Sequence, residues 1–366
     1  MAQNNATIRG WPSAHGLEPG WCGQTYSRLP APPTVEMQLT QPPLVVAFEL
    51  SEKRRAILAD ALAGAAPVVY LTELDAAGRA EALRKAGALL AFNTAKELRP
   101  GEAAMLAGAR LIQFMIAGVD FIPLRELPAG VPVATNGGGY AESMAEHALA
   151  MALAAAKRLL IEHDNVKRGE FNQFRRNRML AGGVCGIFGF GGIGVATAKL
   201  MRGIGMRVHA INRRGRADAP VDWIGTPDKL DALLAASDVL VISAPLTRVT
   251  DRLFGAAEFS RMKDDAILVN LARGELVQER PLYDHLVAHP NFTACIDAWW
   301  IEPVRHGEFR MDQPFLDLPN VIASPHNSAQ GAGAHDLSLR RAVENCRRAL
   351  TGEAPLHVIG EEERMV

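Results

Sequence analysis

The run Val184-Cys185-Gly186-Ile187-Phe188-Gly189-Phe190-Gly191-Gly192-Ile193-Gly194 constrains this chain more than any other stretch. An apolar, strand-like segment ends in G-x-G-x-x-G and opens at once into a helical pattern over Val195–Arg202. Gly189 allows the sharp turn that this spacing demands. Gly191 lets the backbone come close to a pyrophosphate, and Gly194 lets the helix pack tightly on the strand. Gly192 and Ile193 complete the loop. The helix start offers unbonded N–H groups and positive potential to phosphate oxygens. With 33 glycines in the chain, the bare spacing carries little weight. Its setting between strand and helix carries more, and predicts a dinucleotide site in a parallel sheet wrapped by helices. The competing readings are a glycine-rich turn packed for its own sake and a methyltransferase-type loop for another nucleotide ligand.

The next strand, Met206–Ile211, bears on which dinucleotide. An NAD site expects Asp or Glu at its end, to accept from the ribose 2′-OH. Here the chain reads Asn212-Arg213-Arg214. A carboxylate would repel a 2′-phosphate, whereas a guanidinium pairs with one. The expectation is NADP, with NAD as the alternative; the bland reading is a solvated basic turn.

The rest of the chain is organised around two α/β units. Strand patterns at Leu44–Phe48, Val68–Leu71, Leu89–Phe92, Leu111–Met115 and Val131–Ala134 alternate with helical ones at Glu52–Ala63, Ala76–Ala86 and near Pro100–Leu106. An Ala-rich helix, Ala141–His163, apolar on most faces, is expected to link the units and to be buried in a domain or a subunit interface. Beyond it come strands at Val184–Phe188, Arg207–Ile211, Val239–Ser243, Ile267–Leu271, Thr293–Asp297 and Val321–Ala323, and a last helix near His335–Leu350. Residues 1–43, rich in proline and without periodicity, read as a flexible extension. Residues 44–140 plus 329–352 are expected to form one domain, and 141–328 the dinucleotide-binding domain.

Composition narrows the function classes. A net charge of −1 gives no reason to expect a nucleic-acid partner. No apolar run reaches the roughly 18 residues of a membrane span. The ten histidines show no metal-ligand spacing, so no metal is expected. Cys22, Cys185, Cys295 and Cys346 form no C-x-x-C, which points to a reducing, cytoplasmic compartment without disulfides.

Three more segments fall at strand ends, where ligands bind in open α/β sheets: Val269–Val277, Cys295–Pro303 and Ala323–Ser328. Together with Ala117-Gly118-Val119-Asp120, Met144-Ala145-Glu146-His147, the glycine loop and Ala244-Pro245-Leu246-Thr247, they give an ordered set of motifs. On this set the chain, from about Leu44 to Leu350, resembles the D-isomer-specific 2-hydroxyacid dehydrogenases.

The resemblance implies two Rossmann-like α/β domains, a flavodoxin-like substrate domain and a doubly wound dinucleotide-binding domain. It implies a catalytic trio: Arg273 gripping the substrate carboxylate, His326 as general acid/base, and Glu302 orienting His326. It places Ala244, Pro245, Thr250, Leu271, Ala272, Arg273, Asp297 and Ser328 against the cofactor, with Asp297 on the nicotinamide carboxamide. His147, on an apolar helix, reads instead as a core histidine. The backbone N–H groups of Ala117, Gly118 and Val119 are expected to bind the substrate carboxylate. Small 2-oxo and 2-hydroxy acids, glyoxylate and hydroxypyruvate among them, are the implied substrates, and a homodimer the implied assembly.

The chemistry is coherent. Reducing a 2-oxo acid builds negative charge on the carbonyl oxygen, and an imidazolium beside a carboxylate can supply the proton near neutral pH. Departures from the family pattern are Ile116 and Ala117 where a small hydroxyl residue is common, Gly192 in place of Arg, and Tyr140 in place of Asn. The bulky pair Trp299-Trp300 is expected either to wall the substrate pocket or to pack between domains. Rival readings are a dinucleotide-sensing, corepressor-like binding protein and a phosphite or formate dehydrogenase. The formate type carries glutamine where this chain has Glu302.

Overall fold

The computed structural model describes residues 41–360 together with 363 and 364. Most of the extension read over residues 1–43 lies outside the described residues. Pro43 already belongs to the fold, since its carbonyl accepts from the N–H groups of Gly87 and Ala88.

The first sheet contains β1 (Leu44–Val46), β2 (Val68–Tyr70), β3 (Ala88–Ala91), β4 (Leu111–Phe114) and β5 (Val133–Ala134). All pairings are parallel and the order is β2-β1-β3-β4-β5, the flavodoxin-like arrangement. Helices α1 (Glu52–Leu62), α2 (Ala76–Lys85) and α3 (Thr94–Glu97) connect these strands. The helix expected near Pro100–Leu106 is a 3₁₀ segment, Ala103–Gly108.

Two helices follow, α4 (Ala141–Ala156) and α5 (Leu159–Lys167), in place of the one continuous helix expected over Ala141–His163. The break has a local cause. Arg158 adopts the left-handed conformation (φ 55°), and the N–H groups of Lys157 and Arg158 close back on Leu153 and Ala155. The apolar face of α4 is covered within this chain. Met144, Ala148, Met151 and Ala152 pack with Cys185, Ile187, Ala198 and Met201.

The second sheet is built from β6 (Val184–Phe188), β7 (Arg207–Ile211), β8 (Trp223–Gly225), β9 (Val239–Ile242), β10 (Ile267–Asn270), β11 (Thr293–Ile296) and β12 (Val321–Ala323). Its order, β12-β11-β10-β9-β6-β7-β8, is the doubly wound Rossmann pattern with one added strand. The central strands β6, β9 and β10 are buried throughout, which explains their unbroken apolar sequences. The short β8 leaves no mark in the sequence, because three residues cannot show alternation. Helices α6 (Gly192–Gly203), α7 (Leu230–Ala236), α8 (Ala256–Phe259), α9 (Glu279–Ala288) and α10 (Pro303–His306) complete this lobe.

The last helix, α11 (Ala334–Leu350), returns to the first lobe. Leu339, Val343 and Cys346 pack with Leu44, Leu90 and Leu111. The segment after it lies along β5, where Thr135 N–H donates to His357 O and Ile359 N–H to Val133 O. It thus covers an otherwise open sheet edge.

Buried Asn345 of α11 holds this arrangement. Its amide donates to Gln113 Oε1 of β4 at 2.6 Å and to Leu356 O, and its oxygen accepts from Leu356 N–H. Asn345→Ala leaves those partners unsatisfied and is expected to cost about 1–3 kcal/mol. Thermal or denaturant unfolding checks this, and unchanged stability would show that the tail is not anchored here.

Candidate active site

The glycine loop sits where the sheet order reverses, between β6 and β9. Gly189 has φ 101°, and a Cβ there would lie 2.4 Å from Ala244 N, so the turn requires glycine. A Cβ on Gly194 would lie 2.5 Å from Gly189 O, so α6 closes on its own loop only without one. Gly191, the residue before α6, differs: its Cβ would point into open space. A backbone uncovered at the N-terminus of a 12-residue helix is a fitting cradle for a pyrophosphate. Gly192 has a cause of its own, since a Cβ there would meet Gly138 Cα of the first lobe at 2.5 Å. The arginine common in the family would collide with that backbone, so the position is closed by packing and not merely short of a cation.

The turn after β7 is organised by Asn212. Its Oδ1 accepts from Arg214 N–H and its Nδ2 donates to Arg216 O. The side chain is thereby committed to shaping the turn. Arg213 is 65% exposed and pairs with Glu363 at 3.3 Å. Thr250 folds back on its own loop, donating to Pro245 O and accepting from Thr247 N–H.

Arg273 reaches the first lobe. Asn270 shapes its loop, donating to Arg273 O and accepting from Ala272 N–H. Arg273 Nε donates to Asp120 Oδ1 at 3.0 Å and Nη1 to Ala272 O. A Cβ on Gly118 would lie 1.9 Å from Arg273 Nη2, so the guanidinium rests directly over that glycine. Among the described residues, the N–H groups of Ala117, Gly118 and Val119 donate to no backbone carbonyl. A guanidinium edge thus rests beside a segment whose backbone donors are uncommitted, a fitting chemistry for a carboxylate.

His326 is held firmly from one side. Its Nδ1 lies 2.8 Å from each oxygen of Glu302. Glu302 is buried, and its Oε1 also accepts from Trp299 N–H at 2.7 Å. With Nδ1 engaged, Nε2 is the nitrogen left to exchange a proton. His326 has φ 52°, a conformation a non-glycine residue keeps only when its surroundings impose it.

Asp297 supplies part of that imposition. It is fully buried and accepts from Ser324 Oγ, Asn327 N–H and Ser328 N–H, fixing the turn that carries His326. A carboxylate offers about four acceptor sites, so one remains beyond these three donors. Ser328 Oγ is buried and has no partner among the described residues, which also fits a polar ligand at this point. His147 meets Ser324 Oγ at 3.0 Å and lies 3.7 Å from Asp297 Oδ1; at 26% exposed it stands at the edge of this turn and not in the core.

Trp299 is buried with its Nε1 on Ser324 O; Trp300 donates to Val277 O and stacks on Phe315. Both pack with the apolar core of the second lobe. Tyr140 lies edge-on to His335 of α11.

Fold and site together define the class: an oxidoreductase with a Rossmann-type dinucleotide lobe. Residues 149–328 match the family model of the D-isomer specific 2-hydroxyacid dehydrogenase NAD binding domain. The chain is 37% identical over 218 residues to glyoxylate/hydroxypyruvate reductase B of Pectobacterium carotovorum, a match covering 58% of this chain and 66%, just under two thirds, of that enzyme. It is 32% identical over 220 residues to hydroxypyruvate reductase of Thermotoga maritima, covering 59% of this chain and 70% of that one. Its fold superposes with a TM-score of 0.71 on a D-isomer specific 2-hydroxyacid dehydrogenase from Xanthobacter autotrophicus solved with NADPH and MES, at 22% identity over 87% of this chain and 98% of the other. This chain belongs to the D-isomer-specific 2-hydroxyacid dehydrogenase family.

Burial opposes ionisation of Glu302. The hydrogen bond and charge of His326, the Trp299 N–H and the Arg273 charge outweigh it and hold the carboxyl below its ordinary value. The folded value lies below the unfolded one. The pair's stabilisation is therefore present above the unfolded glutamate value of about 4.3 and is lost as pH falls through the depressed folded value. Glu302→Gln is expected to flatten that acid-side loss in denaturant unfolding run at a series of pH values. An unaltered profile would contradict the pairing.

Proposed function

We propose that this chain reduces small 2-oxo acids, of the glyoxylate and hydroxypyruvate kind, to 2-hydroxy acids, with NADP preferred over NAD. The observation that carries the reading is the Glu302–His326 pair, whose carboxylate also feels the charge of the arginine resting over Gly118. On this reading a proton donor and a carboxylate receptor serve one substrate. A reduced nicotinamide bound at the glycine loop would supply hydride to the substrate carbonyl carbon. Arg273, with the N–H groups of Ala117, Gly118 and Val119, holds the substrate carboxylate. His326 delivers a proton from Nε2 to the carbonyl oxygen, and Glu302 steadies the imidazolium that precedes it. Gly189, Gly191, Gly192, Ile193 and Gly194 seat the pyrophosphate. Ala244, Pro245, Thr250, Leu271 and Ala272 line the remainder, and Asp297 and Ser328 face the carboxamide end.

His326→Ala is expected to lower kcat by roughly 10²–10⁴-fold while cofactor affinity changes little. Near wild-type turnover would force reassignment of the acid. Cofactor binding with no turnover of any 2-oxo acid would favour the dinucleotide-sensing reading instead.

The NADP preference rests on Arg213 and Arg214, since Asn212 brings no repelling carboxylate. Solvent around this turn and the Glu363 contact both weaken the effect, so the expected preference is on the order of 10-fold in kcat/KM. Arg213→Ala combined with Arg214→Ala is expected to weaken NADPH and spare NADH. Equal efficiencies in the wild type would contradict the assignment.

The proposed assembly is a homodimer. With α4 covered in its own chain, the surface that needs a partner is the segment after it, which exposes Leu159, Leu160, Phe171, Phe174 and Met179. Phe174 is 92% exposed, and such a patch on one segment is the mark of an interface. Sedimentation at micromolar concentration is expected to give a dimer, and Phe171→Ser with Phe174→Ser to give monomer. A monomeric wild type would refute the assembly.

A further inference from the structure

Arg305 lies in α10, on the same short turn as Glu302, and takes no part in the mechanism above. Its side chain is 14% exposed. Nη2 lies 3.3 Å from Asp120 Oδ2, across the cleft, and Nη1 lies 2.7 Å from Glu275 Oε1. The other oxygen of Asp120 accepts from Arg273 Nε. Arg273, Asp120, Arg305 and Glu275 thus form an alternating chain of two cations and two anions, in which Asp120 Oδ1 is hydrogen-bonded to Arg273 and the Arg305 contacts are ion pairs without hydrogen-bond geometry.

The arrangement matters because of what Asp120 would do without Arg305. A carboxylate facing an arginine tends to take two parallel N–H bonds. Asp120 would then turn fully onto Arg273 and draw away the donor edge that rests over Gly118. Asp120 and Glu275 together would leave the surroundings of the carboxylate receptor carrying more negative than positive charge. In this partly buried cleft such an imbalance repels an anionic substrate.

We propose that Arg305 is a positioning residue for substrate binding. By setting its charge beside the second oxygen of Asp120 and against Glu275, it offsets both carboxylates, so that Arg273 keeps a single bond to Asp120 and its charge stays available to the substrate. The inference deepens the proposed function and rests on its assignment of Arg273.

The test uses the full chain with NADPH and a 2-oxo acid. Arg305→Met, which keeps length and removes charge, is expected to raise KM by roughly 10-fold or more, with a smaller change in kcat and an unchanged Kd for NADPH. Arg305→Lys is expected to lie between the two. Adding Asp120→Asn to Arg305→Met is expected to recover most of the lost affinity, since the uncompensated carboxylate is then gone; general loosening of the fold would not be repaired this way. An unchanged KM in Arg305→Met, or a double variant no better than the single one, overturns the proposal. A wild type that reduces no 2-oxo acid would refute the proposed function instead. Affinity of the NADPH-loaded protein for oxamate then provides the readout, and equal affinity in wild type and Arg305→Met overturns the role of Arg305.

Discussion

The cleft depends on one interaction above the others, the contact of His326 Nδ1 with both oxygens of buried Glu302. That contact is made from a left-handed backbone conformation, which costs a non-glycine residue on the order of 1–3 kcal/mol. The surroundings sustain it. Asp297 ties down the turn with three acceptor bonds, Trp299 bonds both Glu302 and Ser324, and β11 and β12 bring the two segments side by side. A histidine fixed in this way has one nitrogen committed and one available, which is what directional proton transfer requires.

The second constraint is the meeting of the two lobes through glycine. Gly192 faces Gly138, and Gly118 lies beneath Arg273. At Gly192 a single methyl group would drive the lobes apart, and at Gly118 it would push the Arg273 guanidinium off its seat. The approach of the two lobes is thus set by missing side chains as much as by those present. Asp120 adds the polar counterpart, a first-lobe carboxylate hydrogen-bonded to Arg273 and ion-paired with Arg305 of the second lobe.

What could be read from the chain and what could not divides along the same line. The glycine loop, the Arg273, Glu302 and His326 motifs and the doubly wound class are legible because each is a local spacing or a repeated strand-helix rhythm. The structure pairs His326 with Glu302 and sets Arg273 near enough for its charge to act on that carboxylate. The break at Arg158 is not legible, because apolar periodicity continues through it while the backbone turns. Gly192 reads in sequence as a missing cation, and only the approach of Gly138 explains it. The commitment of Asn212 to its own turn, and the packing of Trp299 and Trp300 inside one lobe, depend on neighbours that are distant in sequence or on hydrogen-bond direction. Arg305 carries no signal at all, since its partner Asp120 lies in the other lobe. An Asp in the Gly-Val-Asp motif beside Arg273 is the one available hint of a charge needing compensation.

The central claim is that this cleft grips a carboxylate and protonates the adjoining carbonyl. It is tested most directly by NADPH oxidation with wild-type protein and matched pairs of small carbonyl compounds, each 2-oxo acid set against its uncharged ester or aldehyde. Turnover of the acids, with little or none of the uncharged partners, is the predicted result. Equal turnover of both, or cofactor binding without turnover of any acid, would contradict it.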